Sequence, residues 1–180
     1  FTSNNQDTTT IGIIATQTSA EGESHLFDLG KFTSATGGAY SVSVDWGDGS
    51  ADTTFPFVYT ALTTADITDQ LHTYVEESTG HAAGDLYTVT VTLTFDNGTV
   101  TTDDDVVSSF TLKVFVSDPP VVADPVPDII TTYDGEAVGY MALATFTDPG
   151  GAESLADYTA TIDWNGDTFA DYTAVISFSG

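Results

Sequence analysis

Strict alternation of apolar and polar residues is the feature that most constrains the fold of this chain. In AYSVSVDW, residues 39–46, the large side chains fall at every second position, and the same holds for LYTVTVTLTF (86–95) and FTLKVFV (110–116). A period of two places one set of side chains on each face of a β-strand. Most intervening residues are Thr or Ser, and the many Val and Thr residues favour a pleated surface. No segment has a helical stripe with caps, so the sequence predicts an all-β fold.

Short turn sequences separate these strands. TGG occupies residues 36–38, GDG 47–49 and DNG 96–98. Gly and Asn adopt the positive φ angles that tight hairpins require, so we expect a hairpin over 95–100 with Asn97-Gly98 at its tip. Strands at this spacing indicate a sandwich of two sheets.

The pattern restarts after a Pro-rich stretch, DPPVVADPVPD, residues 118–128. Pro favours an extended chain, which predicts a stiff linker over 118–127 between domains at 1–117 and 128–180. GKFTSATGGAYSVSVDWGDGS (30–50) has its counterpart in ATFTDPGGAESLADYTATIDWNGDT (144–168). The chain therefore carries two copies of one domain type.

The second copy lacks counterparts of HTY (72–74) and of the strand at 86–95. We therefore expect an incomplete second sandwich, with unpaired strand edges and exposed core. Three explanations remain open: the domain is cut short, its remainder is disordered, or a neighbouring chain supplies the missing strands. Because the chain begins at Phe1, we expect a fragment of a larger protein.

Charge excludes several classes of partner. The 180 residues include 27 Asp and Glu but only two basic residues, Lys31 and Lys113, giving a net charge of −25. Such a chain repels nucleic acids and anionic membrane surfaces, and it has no apolar run long enough for membrane insertion. The absence of Cys excludes disulfides and thiol chemistry. An acidic surface adapted to salt and a calcium-dependent fold are the two remaining interpretations.

Several acidic groups are candidate Ca²⁺ ligands, because Ca²⁺ prefers oxygen ligands. DWGDGSAD (45–52) lacks the complete spacing of an EF-hand loop, and a solvated acidic loop is the preferred interpretation of each group taken alone. Acids in the linker and at the end loops of a domain are candidates for holding Ca²⁺ between domains. The candidates are Asp45, Asp48 and Asp52 in the hairpin, Asp103, Asp104 and Asp105 in an insert, and Asp118 and Asp124 in the linker.

Catalysis and glycan binding have weaker signals. His25, His72 and His81 lie in no catalytic motif, so we expect no enzymatic activity. NGT at 97–99 fits both a glycosylation acceptor and a hairpin turn, and the turn is the preferred interpretation. The alternating aromatic residues Phe55, Phe57 and Tyr59 favour core or edge packing, with an exposed glycan-binding face as the minor alternative.

The order VDWGDGS (44–50), HTY (72–74) and GDLYTVTVTL (84–93) resembles the PKD domain, an immunoglobulin-like sandwich. FTDPGGAE (146–153) is similar to repeats in very long bacterial surface proteins. The resemblance covers most of 10–117 and half a domain in 128–180. The chain departs from the pattern at 51–71, at 101–109, and in its second copy, which has Asn-Gly-Asp where the family has Gly-Asp-Gly.

This resemblance implies tandem immunoglobulin-like β-sandwiches, the second incomplete, in a secreted or cell-surface bacterial protein. It implies a structural role as a stalk, fibre or surface-layer element, with Ca²⁺ as a candidate stiffening ion. The expected partners are copies of the chain or neighbouring repeats. An adhesin or carbohydrate-binding module that contacts surface glycans is the alternative.

Overall fold

The structure is a computed structural model that describes residues 10–11, 14–78, 85–95, 106–125, 131, 133–137, 139 and 141–177. Every helix or strand found among these residues is a β-strand, which confirms the predicted all-β class. No helix in the described part of the chain is long and apolar enough to cross a membrane. Contacts divide the chain into a first unit, 1–150, and a second unit, 151–180.

The strands of the first unit follow one another in short steps. They are β1 (Thr10–Ile11), β2 (Gln17–Ala20), β3 (Ser24–Phe27), β4 (Lys31–Thr33), β5 (Gly38–Asp45), β6 (Thr53–Tyr59), β7 (Ala65–Asp66), β8 (Gln70–Thr73), β9 (Tyr87–Phe95), β10 (Val106–Ser117), β11 (Val122–Pro125) and β12 (Ala144–Thr147). They form a five-stranded sheet in the order β2-β10-β9-β5-β6, a three-stranded sheet in the order β1-β4-β7, and the pairs β3-β8 and β11-β12.

The predicted alternation sets the faces of the large sheet. In β5, Tyr40, Val42 and Val44 are buried, whereas Ser41 and Asp45 are exposed. In β9 and β10 the buried side chains also fall at every second position. Because successive side chains point to opposite faces, one face of this sheet is a continuous apolar surface. The sequence prediction of these inward faces is confirmed.

Aromatic side chains from the smaller sheets cover that apolar face. Phe27 of β3 packs with Trp46 at a ring-centroid distance of 5.4 Å. Phe32 of β4 packs edge-on to Tyr40 at 5.1 Å and to Tyr59 at 4.9 Å. The core of the first unit thus lies on the apolar face of the large sheet, where these aromatic side chains pack. Burying each large apolar side chain contributes roughly 1.5–3 kcal/mol, so this core is the main source of stability.

The five-stranded sheet contains one parallel pair. β5, β6, β9 and β10 pair antiparallel with their neighbours, but β2 runs parallel to the end of β10, with Val114 opposite Gln17 and Ser117 opposite Ala20. A parallel pair requires a long connection, and here the two strands are separated by most of the first unit. This pairing brings the residues that follow β2 beside those that follow β10.

Two further sequence predictions concern the stretch at 118–127 and the hairpin at 95–100. The stretch predicted as a linker contains β11, which pairs antiparallel with β12. The division into domains at 118–127 stays a prediction. The hairpin predicted at Asn97-Gly98 lies outside the described residues.

In its described residues, 151–177, the second unit contains one short hairpin. β13 (Thr161–Ile162) pairs antiparallel with β14 (Tyr172–Thr173) around a loop over 163–171. Two further backbone hydrogen bonds join these segments, from Asp171 N to Ile162 O and from Ala174 N to Ala160 O, both at 2.8 Å. The alternation that the sequence predicts is present, because Ala160 and Ile162 are half-buried and Thr161 is exposed.

Candidate functional site

The acidic hairpin at 45–52 joins β5 to β6, and its carboxylates are occupied by local hydrogen bonds. Asp45 Oδ1 accepts a bond from Gly47 N at 2.9 Å, and Asp52 Oδ2 accepts one from Ser43 Oγ at 2.9 Å. Gly47 has a φ of +76°, and a Cβ atom there would lie 2.4 Å from the carbonyl oxygen of Thr88. The sequence Gly-Asp-Gly is therefore required by the turn and by the close approach of β9.

Asp48 connects this hairpin to β8. Its Oδ1 accepts bonds from Ser50 N at 2.9 Å and Ser50 Oγ at 2.6 Å, while its Oδ2 lies 2.8 Å from His72 Nε2. Burial acts to raise the pKa of the Asp48 carboxyl, but the bonds from Ser50 and His72 outweigh it and hold that pKa below its usual range. The Asp48 carboxylate is thus an ordering group of the folded hairpin.

The His72 imidazole packs against the hydrophobic core of the first unit. It stacks flat on Trp46, with ring centroids 4.3 Å apart and planes 4° apart. Trp46 is fully buried, its Nε1 donates to Thr53 Oγ1 at 2.9 Å, and its carbonyl accepts from the buried Tyr74 hydroxyl at 3.2 Å. His72 and Tyr74 therefore close the core over the tryptophan.

An Asp beside a His raises the question of a catalytic triad. A triad needs a nucleophile on the free side of the imidazole. Here Ser50 donates to the same carboxylate as His72, and one face of the imidazole is covered by Trp46. The arrangement is suited to fixing the hairpin against β8.

In the second copy of the hairpin, the loop is ordered by Asp163, the counterpart of Asp45, and not by a counterpart of Asp48. Asp163 Oδ1 accepts bonds from Asn165 N at 3.1 Å and Gly166 N at 2.7 Å, and its Oδ2 accepts one from Thr168 N at 2.8 Å. These backbone bonds, chiefly that from Thr168, lower the pKa of the Asp163 carboxyl. Trp164, the counterpart of Trp46, is 59% exposed.

Three carboxylates gather where β2 and β10 end. Ala20 pairs with Ser117 in the parallel register, and Glu21 N donates to Ser117 O at 3.1 Å, so the next residues along the chain, Glu21 and Asp118, lie side by side. Asp148, just after β12, completes the group. One carboxylate oxygen from each of the three residues lies within 4.8 Å of the other two. We call Glu21, Asp118 and Asp148 the acidic triplet.

Two glycines allow the chain to approach the triplet closely. A Cβ atom at Gly150 would lie 1.8 Å from Glu21 Oε1, and one at Gly22 would lie 2.7 Å from the Gly150 carbonyl oxygen. Gly150 N also donates to Asp148 Oδ1 at 3.0 Å. The DPGG sequence at 148–151 therefore presents a carboxylate to Glu21 at a distance that a larger residue at 150 would not permit.

One carboxyl group of the triplet is buried, since Glu21 is only 3% exposed. Burial disfavours the charged form of a carboxylate, and neighbouring negative charges disfavour it further. The two basic residues of the chain are engaged elsewhere, Lys31 with Asp66 and Lys113 with Thr88. Three carboxylates supply up to six oxygen ligands, which suits the coordination preference of Ca²⁺.

The remaining predicted ligands are distributed differently. Among the described residues, Asp118 is the one predicted ligand found in a group of three or more potential ligands. Asp45, Asp48 and Asp52 lie along the first hairpin, and Asp124 is exposed on β11. Asp103, Asp104 and Asp105 lie outside the described residues. The assignment of all these predicted residues as Ca²⁺ ligands stays a prediction.

Sequence reasoning missed Glu21 and Asp148. Glu21 follows a strand of only four residues, and nothing local indicates that this strand pairs with β10. Asp148 belongs to the repeat motif at 146–153, in which no spacing of acids indicates a metal site. The signal available was the pairing of acids with glycines, in EG at 21–22 and DPGG at 148–151, which marks places where chain segments meet closely.

The alternating aromatic residues of β6 pack in the core, which is the preferred interpretation of their sequence pattern. Phe57 and Tyr59 are buried, and Phe55 is partly buried against the same core. The outward residues of this strand include Pro56 and Val58. These rings therefore contribute to the core of the first unit.

Comparison with known proteins identifies no relative: no family model, no curated protein and no solved structure matches this chain. The resemblance to PKD domains stays a prediction from the sequence.

Proposed function

We propose that this chain is a non-catalytic structural module of a secreted or cell-surface protein. It would serve as a repeating element of a stalk, fibre or surface layer built from immunoglobulin-like sandwiches. The internal repeat supports this role, as does the use of the hairpin acids and His72 in holding the fold together. The net charge of −25 favours solubility and cation binding at an exposed surface.

The observation that carries the proposal is the acidic triplet. Its members come from residues 21, 118 and 148, which are far apart in sequence. A divalent cation bound there would join the end of β2, the exit from β10 and the segment that follows β12. Ca²⁺ is the ion we propose, because all three ligands are carboxylates. Its role is to fix the segment leaving the first sandwich.

Calcium titration of the full chain tests this proposal. After removal of Ca²⁺ with a chelator, the melting temperature should rise with added Ca²⁺ at constant ionic strength. Ligand binding to the folded state alone stabilises it by about 2.7 kcal/mol when the ligand is at 100 times its Kd. Calorimetric titration should give one binding event with the same Ca²⁺ dependence.

Two matched variants locate the binding. Glu21→Gln keeps the size of the buried side chain but removes its charge, whereas Glu23→Gln changes an exposed acid two residues away. With chelator, Glu21→Gln should be at least as stable as the parent chain, because it relieves repulsion between carboxylates. With Ca²⁺ the order should reverse, and Glu23→Gln should follow the parent in both conditions. An equal Ca²⁺ response in Glu21→Gln would show that the triplet is not the site.

A further inference from the structure

The loop of the second hairpin contains an Asn-Gly pair that the first loop does not have. Asn165-Gly166 stands where the first copy has Gly47-Asp48. Both Asn165 and Gly166 are exposed, and among the described residues a Cβ atom at Gly166 would meet nothing within 4 Å beyond its chain neighbours. Because glycine has no side chain to shield its backbone, the Gly166 nitrogen is sterically open and the pair is accessible to water.

An asparagine that precedes a glycine supports an intramolecular reaction. The Gly166 nitrogen attacks Asn165 Cγ, so that a C–N bond forms, the bond from Cγ to Nδ2 breaks, and the Gly166 amide proton leaves with the departing group as ammonia. Water then opens the cyclic imide at either carbonyl, which leaves aspartate or isoaspartate at position 165. The reaction consumes water, releases ammonia and needs no other reactant. Its reacting groups belong to adjacent residues, so no encounter between molecules is required.

The loop holds the Asn165 side chain in one orientation. Asn165 Oδ1 accepts a hydrogen bond from Asp167 N at 2.9 Å, and Asn165 Nδ2 donates one to Asp167 Oδ2 at 3.2 Å. A donor on Oδ1 stabilises the negative charge that develops on this oxygen when Cγ is attacked. The contacts of Asp167 therefore favour the reaction at the carbonyl carbon.

The contact of Asp163 acts in the opposite direction. Gly166 N donates to Asp163 Oδ1 at 2.7 Å, so the proton that must leave the nucleophile is held in this bond. Backbone hydrogen bonds, chiefly that from Thr168, hold the pKa of the Asp163 carboxyl below its usual range, so the carboxylate is a weak base. Its negative charge also opposes the formation of a second anion on the Gly166 nitrogen. Asp163 therefore slows the attack.

The first copy is protected against the equivalent reaction. Asp48 precedes Gly49, and an aspartate before a glycine forms the same imide with loss of water. Asp48 accepts hydrogen bonds from Ser50, lies 2.8 Å from His72 Nε2, and has a side chain that is only 11% exposed. These contacts lower the pKa of its carboxyl and keep it ionised, and an ionised carboxylate is a poor target for the Gly49 nitrogen.

We propose that Asn165 is a site of spontaneous deamidation, with Gly166 N as the nucleophile and Asp163 as the residue that slows the reaction. The product carries a new carboxylate between Asp163 and Asp167, and an isoaspartate also lengthens the backbone of the loop. The second loop therefore changes as the protein ages, whereas the first loop is preserved. This inference goes beyond the structural role proposed above and does not require Ca²⁺.

The test follows the full chain during incubation at constant pH and temperature, with chelator present. Peptide mapping by mass spectrometry measures the replacement of the amide by a carboxyl group at position 165, and enzymatic methylation detects isoaspartate. Asn165→Gln removes the reactive residue. Asp163→Ala removes the restraint, and Asp157→Ala changes another exposed acid of the same unit. The second Asn-Gly pair, at 97–98, is mapped separately in every sample as an internal reference.

We expect aspartate and isoaspartate to accumulate at 165 in the parent chain, and several-fold faster in Asp163→Ala. Asp157→Ala should keep the parent rate, Asn165→Gln should form no product at 165, and the rate at 97 should be the same in all four chains. An unmodified Asn165, over the time in which a synthetic peptide of residues 164–168 deamidates completely, would overturn the proposed site. An unchanged or slower rate in Asp163→Ala would overturn the role of Asp163.

Discussion

The two hairpins share a local sequence but differ in what surrounds them. Asp45-Trp46 and Asp163-Trp164 each follow an alternating strand and begin a tight loop, and in both copies the leading Asp accepts a backbone bond two residues on. Trp46 is fully buried, whereas Trp164 is 59% exposed. Local sequence therefore determines the hairpin, and strands distant in sequence determine whether it forms a core.

The loops differ for the same reason. In the first copy Asp48 reaches across to His72, so the loop is held by β8. In the second copy the order Asn-Gly-Asp replaces Gly-Asp-Gly. There the Asp163 carboxylate accepts hydrogen bonds from backbone amides of the loop itself. The first loop is thus held both by local bonds and by β8, whereas local bonds order the second loop.

The largest expected difference between the copies is the cost of removing the tryptophan. Trp46→Ala should lower the free energy of unfolding by about 3–5 kcal/mol, because it leaves a cavity in a closed core. Trp164→Ala should change it by less than about 0.5 kcal/mol, as for other exposed positions. Denaturant unfolding of the full chain measures both. Similar losses in the two variants would mean that the hairpins are buried to the same degree.

A medium-sized effect is expected at the contact that only the first copy has. Asp48→Asn should cost about 1–3 kcal/mol at neutral pH, since it removes a charged acceptor from a partly buried network. The folded-state pKa of Asp48 is depressed, so its contribution is present above the unfolded value of about 3.9 and is lost as pH falls through the folded value. The difference between parent and variant should therefore disappear in acid.

Asp52→Asn is the matched control for that experiment. Asp52 is exposed and bonds to Ser43 on the same hairpin, so its loss should cost little at any pH. A pH-independent difference for Asp48→Asn would contradict an origin in the Asp48 carboxylate. Unfolding curves between pH 2 and about pH 7 would decide the question.

The smallest effect is expected in the second loop. Asp163→Ala removes the acceptor of three backbone bonds at an exposed site, so it should loosen the loop with little effect on global stability. Amide hydrogen exchange should accelerate at Gly166 and Thr168. In Asp157→Ala, which changes another exposed acid of this unit, exchange at those amides should remain at the parent rate. Unchanged exchange in Asp163→Ala would show that the loop is held by other contacts.

Much of the first sheet could be predicted from the sequence, because alternation is a local property. The inward faces of β5, β9 and β10 follow directly from it, as does the turn at 47–49. The repeat also predicted correctly that Tyr158, Ala160 and Ile162 share a face. What these residues contact depends on other strands, and local pattern carries no information about that.

The acidic triplet could not be predicted for this reason. It depends on a parallel pairing between residues 17–20 and 114–117, which no turn sequence specifies. Asp118 and Asp124 are close in sequence, yet Asp118 lies beside Glu21 and Asp148, whereas Asp124 lies on β11. The contact between Asp48 and His72 joins residues 24 apart, which the spacing of the hairpin acids does not predict.

The parallel register of β2 and β10 also has a mechanical consequence. β2 lies near the beginning of the first unit and β10 near the end of its large sheet, and four residue pairs join them side by side. When the chain is pulled from the two sides of this unit, the strands are drawn in opposite directions along their length. All the hydrogen bonds between them then carry the load together in shear and do not open one at a time. In a fibre under tension, β2 and β10 would separate last, after the strand pairs whose hydrogen bonds break one at a time.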